Sequence, residues 1–343
     1  MGVCVTLSPH LSLFAKISDL LLDDPKPALH KFSKEPCSMN FSPRAPISSR
    51  TLGVLAMLGA MTIYGANFPI SRHGIQHGLT PADMTALRFT VAGVLMLPVL
   101  LRAGLKDCAG IGWGRGLVLT LMSGFPIGLL MMLGLSYAPA SHGSAIGPGT
   151  VTVVGIIGGR LLFGIKPTLP ALAGVACVLV GLGVIATASS TGGSATMLLG
   201  DLCFVGVGMI WGSYPLLLML WKVDPLKAAA VLSVLSAITY MPYYALTEGG
   251  HIFTLPWSVL LLHGFNQGVL NVIVGLWCWG IGVAKLGVAT AGRFPPLIPV
   301  IGTLIGIPLV GEWPGPLQWL GVSLIVTGLA VAAIRPAVQR QNS

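Results

Sequence analysis

Residues 155–167, GIIGGRLLFGIKP, and residues 302–314, GTLIGIPLVGEWP, share glycine at their first, fifth and tenth positions and proline at their last. The two stretches lie 147 residues apart. The same shift lays Gly53 on Gly200, Gly59 on Gly206, Gly65 on Gly212, Gly128 on Gly275, Gly174 on Gly321, Gly181 on Gly328 and Pro148 on Pro295. Nine glycines coincide in all, against about three expected by chance from 46 glycines in 343 residues, so the chain is a tandem repeat.

Composition sets the solvent in which the repeats fold. Hydrophobic residues make up 54% of the chain, charged ones 8%, and the mean hydropathy is +0.86, far from the roughly 25% charged content of water-soluble domains. The expected fold is therefore an all-α integral membrane protein. Residues 1–50 differ: they hold six of the nineteen Lys and Arg and four of the ten Asp and Glu, with no apolar run long enough to span, and read as a disordered cytoplasmic tail. Met39 offers an alternative start within that tail, and Met1-Gly2-Val3-Cys4-Val5-Thr6 formally fits a myristoylation pattern. The formal charge of +9 does not indicate nucleic acid, because the basic residues outside the tail sit singly in short loops between apolar runs. The six cysteines show no C-x-x-C spacing, so neither a zinc site nor a disulfide framework is indicated, and no cofactor is called for.

A bilayer core of about 30 Å needs about 20 apolar residues per helix. Ten segments qualify, at 52–71, 82–101, 116–136, 142–163, 169–187, 199–220, 227–246, 257–280, 287–310 and 317–335. The Ser/Gly stretch 189–194 divides them into a first repeat at 51–188 and a second at 199–336, with a short cytoplasmic tail at 337–343. With the N-terminus in the cytoplasm, Arg102, Lys106, Arg115, Arg160, Lys166, Lys222, Lys227, Lys285, Arg335 and Arg340 fall inside, against Arg72 alone outside. Both termini are thus expected in the cytoplasm. Five helices per repeat is an odd number, so the second copy enters the membrane upside down and the repeats are inverted, an arrangement common among secondary carriers.

Further residues give the pattern a family. Tyr64-Gly65-Ala66-Asn67-Phe68 in repeat one stands against Trp211-Gly212-Ser213-Tyr214 in repeat two, with Thr80-Pro81 and Arg88 after the first. Ala289 and Ala291, Pro299, Gly311-Glu312 and a closing segment with Gly321 and Gly328 complete it. On these residues the chain resembles the EamA-type carriers of the drug/metabolite transporter superfamily over about 52–335. The resemblance implies export or uptake of small metabolites through a cell membrane and leaves the substrate open. Repeat one departs from the pattern, with Gly164-Ile165 where repeat two has Gly311-Glu312.

Ionisable and amide groups inside apolar segments are candidates for a site, because their burial is costly. Arg293 stands among prolines in Gly292-Arg293-Phe294-Pro295-Pro296, which frees backbone carbonyls toward protein or a wet cavity, and is a candidate for the substrate path, with a side chain reaching the headgroups as the alternative. Arg88 is read as reaching the headgroups or pairing with Asp83. Gln267 and Asn271 are one helical turn apart on one face and suit either a zwitterionic or hydroxylated ligand or an interhelical hydrogen bond, while Asn266 reads as an interhelical hydrogen bond. Trp211 and Tyr214, at i and i+3 deep in their segment, and Tyr64 are the aromatic candidates; for Trp211 and Tyr214 core packing is the competing reading and the safer one. The candidate substrate-binding set is Arg293, Gln267, Asn271, Trp211, Tyr214 and Tyr64. Asp201 and Glu312 lie near segment ends, so no carboxylate marks a span centre and proton coupling has no support. His73 and His77 read as outer-loop residues rather than a metal pair. The glycine stripes at 155/159, 302/306, 174/181 and 321/328 suit intrachain packing or a homodimer seam.

The leading expectation is a carrier, an exporter of small polar metabolites such as amino acids, working by alternating access. A drug or sugar-derivative carrier, a membrane-embedded acyl- or prenyl-transferase, and a scaffold without transport are the alternatives. An enzyme would need clustered His, Asp and Glu near one surface, and the chain has ten acids, four of them in the tail.

Overall fold

A computed structural model of the chain describes residues 48–192, 195–248 and 250–334. The tails expected at 1–50 and 337–343, with Met39, Arg335 and Arg340, lie outside the described residues, except that Ser48 caps the first helix and residues 49–50 begin it. Every described element is helical: α1 Ser49–Gln76, α2 Pro81–Ala103, α3 Trp113–Tyr137, α4 Ala140–Phe163, α5 Leu169–Gly192, α6 Ala195–Trp221, α7 Pro225–Thr247, α8 Trp257–Leu286, α9 Leu297–Val310 and α10 Pro316–Ala332. Turn chemistry sets the ends. Thr80 and Asp83 form a reciprocal capping box at the start of α2 with Pro81 in the first turn. The helices α4 and α9 both stop on a left-handed glycine, Gly164 at φ 66° and Gly311 at φ 72°, which lie 147 residues apart.

The first eight helices are long and apolar enough to cross a membrane. The last two are shorter, at 14 and 17 residues, or about 21 and 26 Å. The segment expected at 287–310 is not one helix: a single turn, Val288–Ala291, precedes the Pro295-Pro296 pair, and α9 starts only at Leu297. The third segment is also interrupted, at Gly124, into Trp113–Ser123 and Phe125–Tyr137.

Packing follows the sequence repeat. A Cβ at Gly65 would lie 2.9 Å from Ile298 O and from the Ile301 side chain, and one at Gly212 would meet Val154 Cβ at 2.8 Å and Val151 Cα at 3.1 Å. These are the same contacts shifted by 147. Gly53 meets Lys285 as Gly200 meets Ala138, again one repeat apart. The first helix of each repeat is therefore seated on the third and fourth helices of the other, α6 on α3 and α4, and α1 on α8 and α9. Close approach at glycine is how apolar helices gain contact in lipid, where burial supplies no driving force. The final helices of the repeats, α5 and α10, pair with each other: a Cβ on Gly174 would lie 2.5 Å from Gly328 O and one on Gly181 2.9 Å from Gly321 O. Those two stripes are intrachain seams. A Cβ on Gly302 would meet Ser144 and Gly65 O, whereas one on its mate Gly155 would enter open space.

Candidate functional site

The polar side chains of the interior meet where α1, α2 and α8 converge. Asn67 Oδ1 accepts from Asn266 Nδ2 at 3.1 Å, from Asn271 Nδ2 at 2.9 Å and from Ser71 Oγ at 3.4 Å. Gln267 Nε2 donates to Ser71 Oγ at 2.6 Å, and Arg88 Nη1 to Gln267 Oε1 at 3.4 Å. Asn67, Ser71, Asn266, Gln267 and Asn271 are all buried, and Arg88 is partly so.

Local backbone geometry explains how three amides of α8 reach one place. Residues Phe265–Val274 form a π-helical stretch, whose wider turn brings residues i and i+5 onto one face. Asn271 Nδ2 also donates to Asn266 O at 2.9 Å, satisfying a carbonyl of that stretch. The expectation that Gln267 and Asn271 share a face is thereby revised: Asn266 and Asn271 act together on Asn67, and Gln267 turns to Ser71 and Arg88. Gly268 lets this stretch lie against α2, because a Cβ there would overlap Val91. Tyr64 packs one turn further along, its ring against Gly275.

Arg88 does not pair with Asp83. The capping box turns that carboxylate back to the start of α2, where Oδ2 takes Thr80 N at 2.8 Å and His251 Nδ1 at 2.9 Å, and Oδ1 takes the Tyr244 hydroxyl. Arg88 instead lies in the junction, its guanidinium 5.9 Å from the Phe89 ring centroid.

The remaining candidates are elsewhere. Arg293 is exposed in the turn before α9, and its side chain makes no hydrogen bond or ion pair among the described residues. Trp211 is 38% exposed, while Tyr214 packs among the apolar residues of α2, α3 and α7, so the pair does not present one wall. Sequence reasoning missed Asn67 and Ser71, four residues apart on α1, and set Arg88 aside. Their spacing within an apolar helix was the available signal.

The end of the bundle carrying Asp83 also holds two more buried or half-buried carboxylates. Glu312 Oε1 receives Arg72 Nε at 2.7 Å and its Oε2 receives Ala140 N at 2.9 Å, while Arg72 Nη1 donates to Leu135 O and Ser136 O. Asp201 accepts from Ser189 Oγ at 2.5 Å and contacts His142 Nδ1 at 2.7 Å. Both ties bridge the two repeats. His73 stacks on His77 at 3.9 Å and on His263 at 6.1 Å at the same end.

Long apolar helices enclosing a polar junction define a multi-pass integral membrane protein. The model of the EamA-like transporter family matches residues 51–187 and again 198–334, and the chain belongs to that family. It is 25% identical over 310 residues to a probable terminal-alkyne amino-acid exporter of Streptantibioticus cattleyicolor, covering 84% of this chain and 96% of that protein. It is 24% identical over 295 residues to the inner membrane transporter YedA of Escherichia coli (strain K12), covering 81% and 90%. A solved crystal structure superposes with a TM-score of 0.57 at 20% identity, covering 82% of this chain and 96% of the other, a likeness of fold. The protein is a membrane transporter of the drug/metabolite class.

Proposed function

We propose that the protein exports a small polar metabolite, an amino acid or close relative, by alternating access between two inverted five-span repeats. In this reading α9, extended by the Val288–Ala291 turn and the proline pair, and α10 complete ten crossings, with both termini in the cytoplasm. The repeats occupy 51–188 and 199–336. The carrying observation is the junction of Asn67, Ser71, Arg88, Asn266, Gln267 and Asn271 inside an otherwise apolar bundle. Polar groups at such depth are costly and mark a path for polar cargo. Amides that both donate and accept suit a neutral zwitterion, and a highly phosphorylated ligand would require several Arg or Lys together. The name of the Streptantibioticus relative, an amino-acid exporter, agrees with this substrate class.

Efflux of labelled neutral amino acids from proteoliposomes, set beside efflux of a sugar and a lipophilic cation, tests the reading. Amino-acid efflux above protein-free vesicles is expected. Movement of only the sugar or only the cation would replace the substrate class, and absence of all flux would favour a scaffold. A single cysteine at Lys106 is expected to label only from the cytoplasmic face; labelling from outside would reverse the topology.

A further inference from the structure

Arg88 is a cation without a counter-ion among the described residues. Among the described residues no carboxylate lies within 4.0 Å of its guanidinium, and the one polar contact is the long bond to Gln267. Asp83, the nearest acid in sequence, is taken by Thr80, Tyr244 and His251. An uncompensated charge inside a membrane bundle is expensive, and an anionic partner relieves the cost.

The surrounding amides have unused capacity of both kinds. Asn67 Oδ1 is engaged three times, but Asn67 Nδ2 has no hydrogen-bond partner among the described residues. Asn266 and Asn271 spend their Nδ2 groups on Asn67 and keep both Oδ1 acceptors unpaired. Asn67, Asn266 and Asn271 are 3%, 3% and 7% exposed, and their unpaired atoms are not among the fully sealed polar atoms of the bundle, so each keeps a small accessible face that an entering ligand can reach.

The fold itself does not demand this chemistry. Shifted by 147, Arg88 falls on Leu235 and Ser71 on Leu218, both packed in an apolar cluster. A structural role alone would be met by leucine.

We infer that Arg88 and Asn67 Nδ2 form a carboxylate subsite, and the Oδ1 atoms of Asn266 and Asn271 an ammonium subsite, so that the junction binds the α-amino-acid head group and leaves the side chain to other contacts. The inference rests on the amino-acid reading above. Planar Arg donates two parallel N–H bonds to a carboxylate, and Asn carbonyl oxygens accept from an ammonium.

The test is counterflow of labelled neutral L-amino acids in proteoliposomes, with competition by the matching carboxamides and by the matching acids lacking the amine. Wild type is expected to discriminate against each analogue by about tenfold or more. Arg88→Gln is expected to reduce the acid-over-amide preference to about one while keeping the preference for the amine, and Arg88→Lys to restore it partly, because the fork is lost. A merely structural Arg88 would lower total flux and leave both ratios unchanged, which overturns the assignment. Should Arg88→Gln fail to insert, Arg88→Lys carries the same comparison: a preference equal to wild type overturns the assignment, and a reduced one supports it. Absence of any zwitterion flux in wild type overturns the amino-acid reading itself, a result distinct from intact flux with unchanged ratios.

Discussion

At the junction of α1, α2 and α8 the protein places Asn67, Ser71, Arg88, Asn266 and Gln267; at its mate, formed by α6, α7 and α3, the same positions carry Tyr214, Leu218, Leu235, Leu119 and Thr120. The backbone plan is shared. The third helix of each repeat departs from regular α geometry at the equivalent place, Gly124 in α3 and Asn271 within the π stretch of α8. In the mate, local polar needs are met on the spot: Thr120 Oγ1 donates to Gly116 O at 2.8 Å, and Phe125 N, past the Gly124 break, donates to Ser236 Oγ at 3.1 Å. Hydrocarbon fills the rest, with Leu119, Tyr214, Leu218 and Leu235 in one cluster. One architecture thus closes with apolar side chains on one side and holds a charged, amide-rich centre on the other. Repetition supplies the scaffold, and divergence at a few positions supplies the polar centre.

The comparison predicts unequal responses to equivalent changes. Asn67→Leu removes the acceptor shared by Asn266, Asn271 and Ser71 and leaves buried donors unpaired, at about 3 kcal/mol or more. Tyr214→Leu at the mated position removes only packing and is expected to cost less than half as much. Thermal unfolding of both in detergent gives the ranking, and equal losses would break the asymmetry.

Glycine mates sharpen it next. Gly302→Ala drives a methyl toward Ser144 Cβ, 2.5 Å from the ideal Cβ position, and is expected to destabilise by about 1–3 kcal/mol. Gly155→Ala enters open space and should change stability by no more than about 0.5 kcal/mol, or raise it through better helix propensity. A large loss at Gly155, with a change of oligomeric state on sizing, would assign that stripe to a dimer seam. Smaller still is the Arg72–Glu312 tie, in which each side chain is 19% exposed: a double-mutant cycle is expected to give about 1 kcal/mol of coupling. The smallest effect belongs to Arg293→Gln. Exposed and unpaired, it should leave transport within about twofold of wild type, and a drop as deep as that of Arg88→Gln would restore Arg293 to the substrate path.

Much of the fold was legible because its determinants are local or periodic. Apolar runs bounded by Pro and Gly located the helices, and the 147-residue register exposed the duplication. Proline pairing at 295–296 announced a break, although the shortness of α9 followed only once the turn before it was seen. The site was harder to read. Gln267 and Asn271 stand out by polarity and depth and Tyr64 as an aromatic, but an ideal 3.6-residue period puts Gln267 with Asn271, and only the π stretch shows that Asn266 is the one that joins Asn271. Arg88 looked paired because Asp83 is five residues away, and a linear sequence does not show that a capping box turns that carboxylate around. Asn67 lay inside a quoted motif without a visible partner, its three donors being four, 199 and 204 residues distant.

The central claim, that the polar junction exists for cargo and not for the fold, is tested most directly by giving it the residues of its mate. A variant carrying Ser71→Leu, Arg88→Leu, Asn266→Leu and Gln267→Thr, with Asn67→Tyr, removes donors and acceptors together and leaves only Asn271, whose Nδ2 keeps its bond to the backbone O of residue 266, a change that is close to neutral or stabilising when shapes are accommodated. Purified and reconstituted, it is expected to remain monodisperse, to melt no lower than Asn67→Leu alone, and to show no amino-acid flux. Flux at the wild-type rate from this variant would contradict the account.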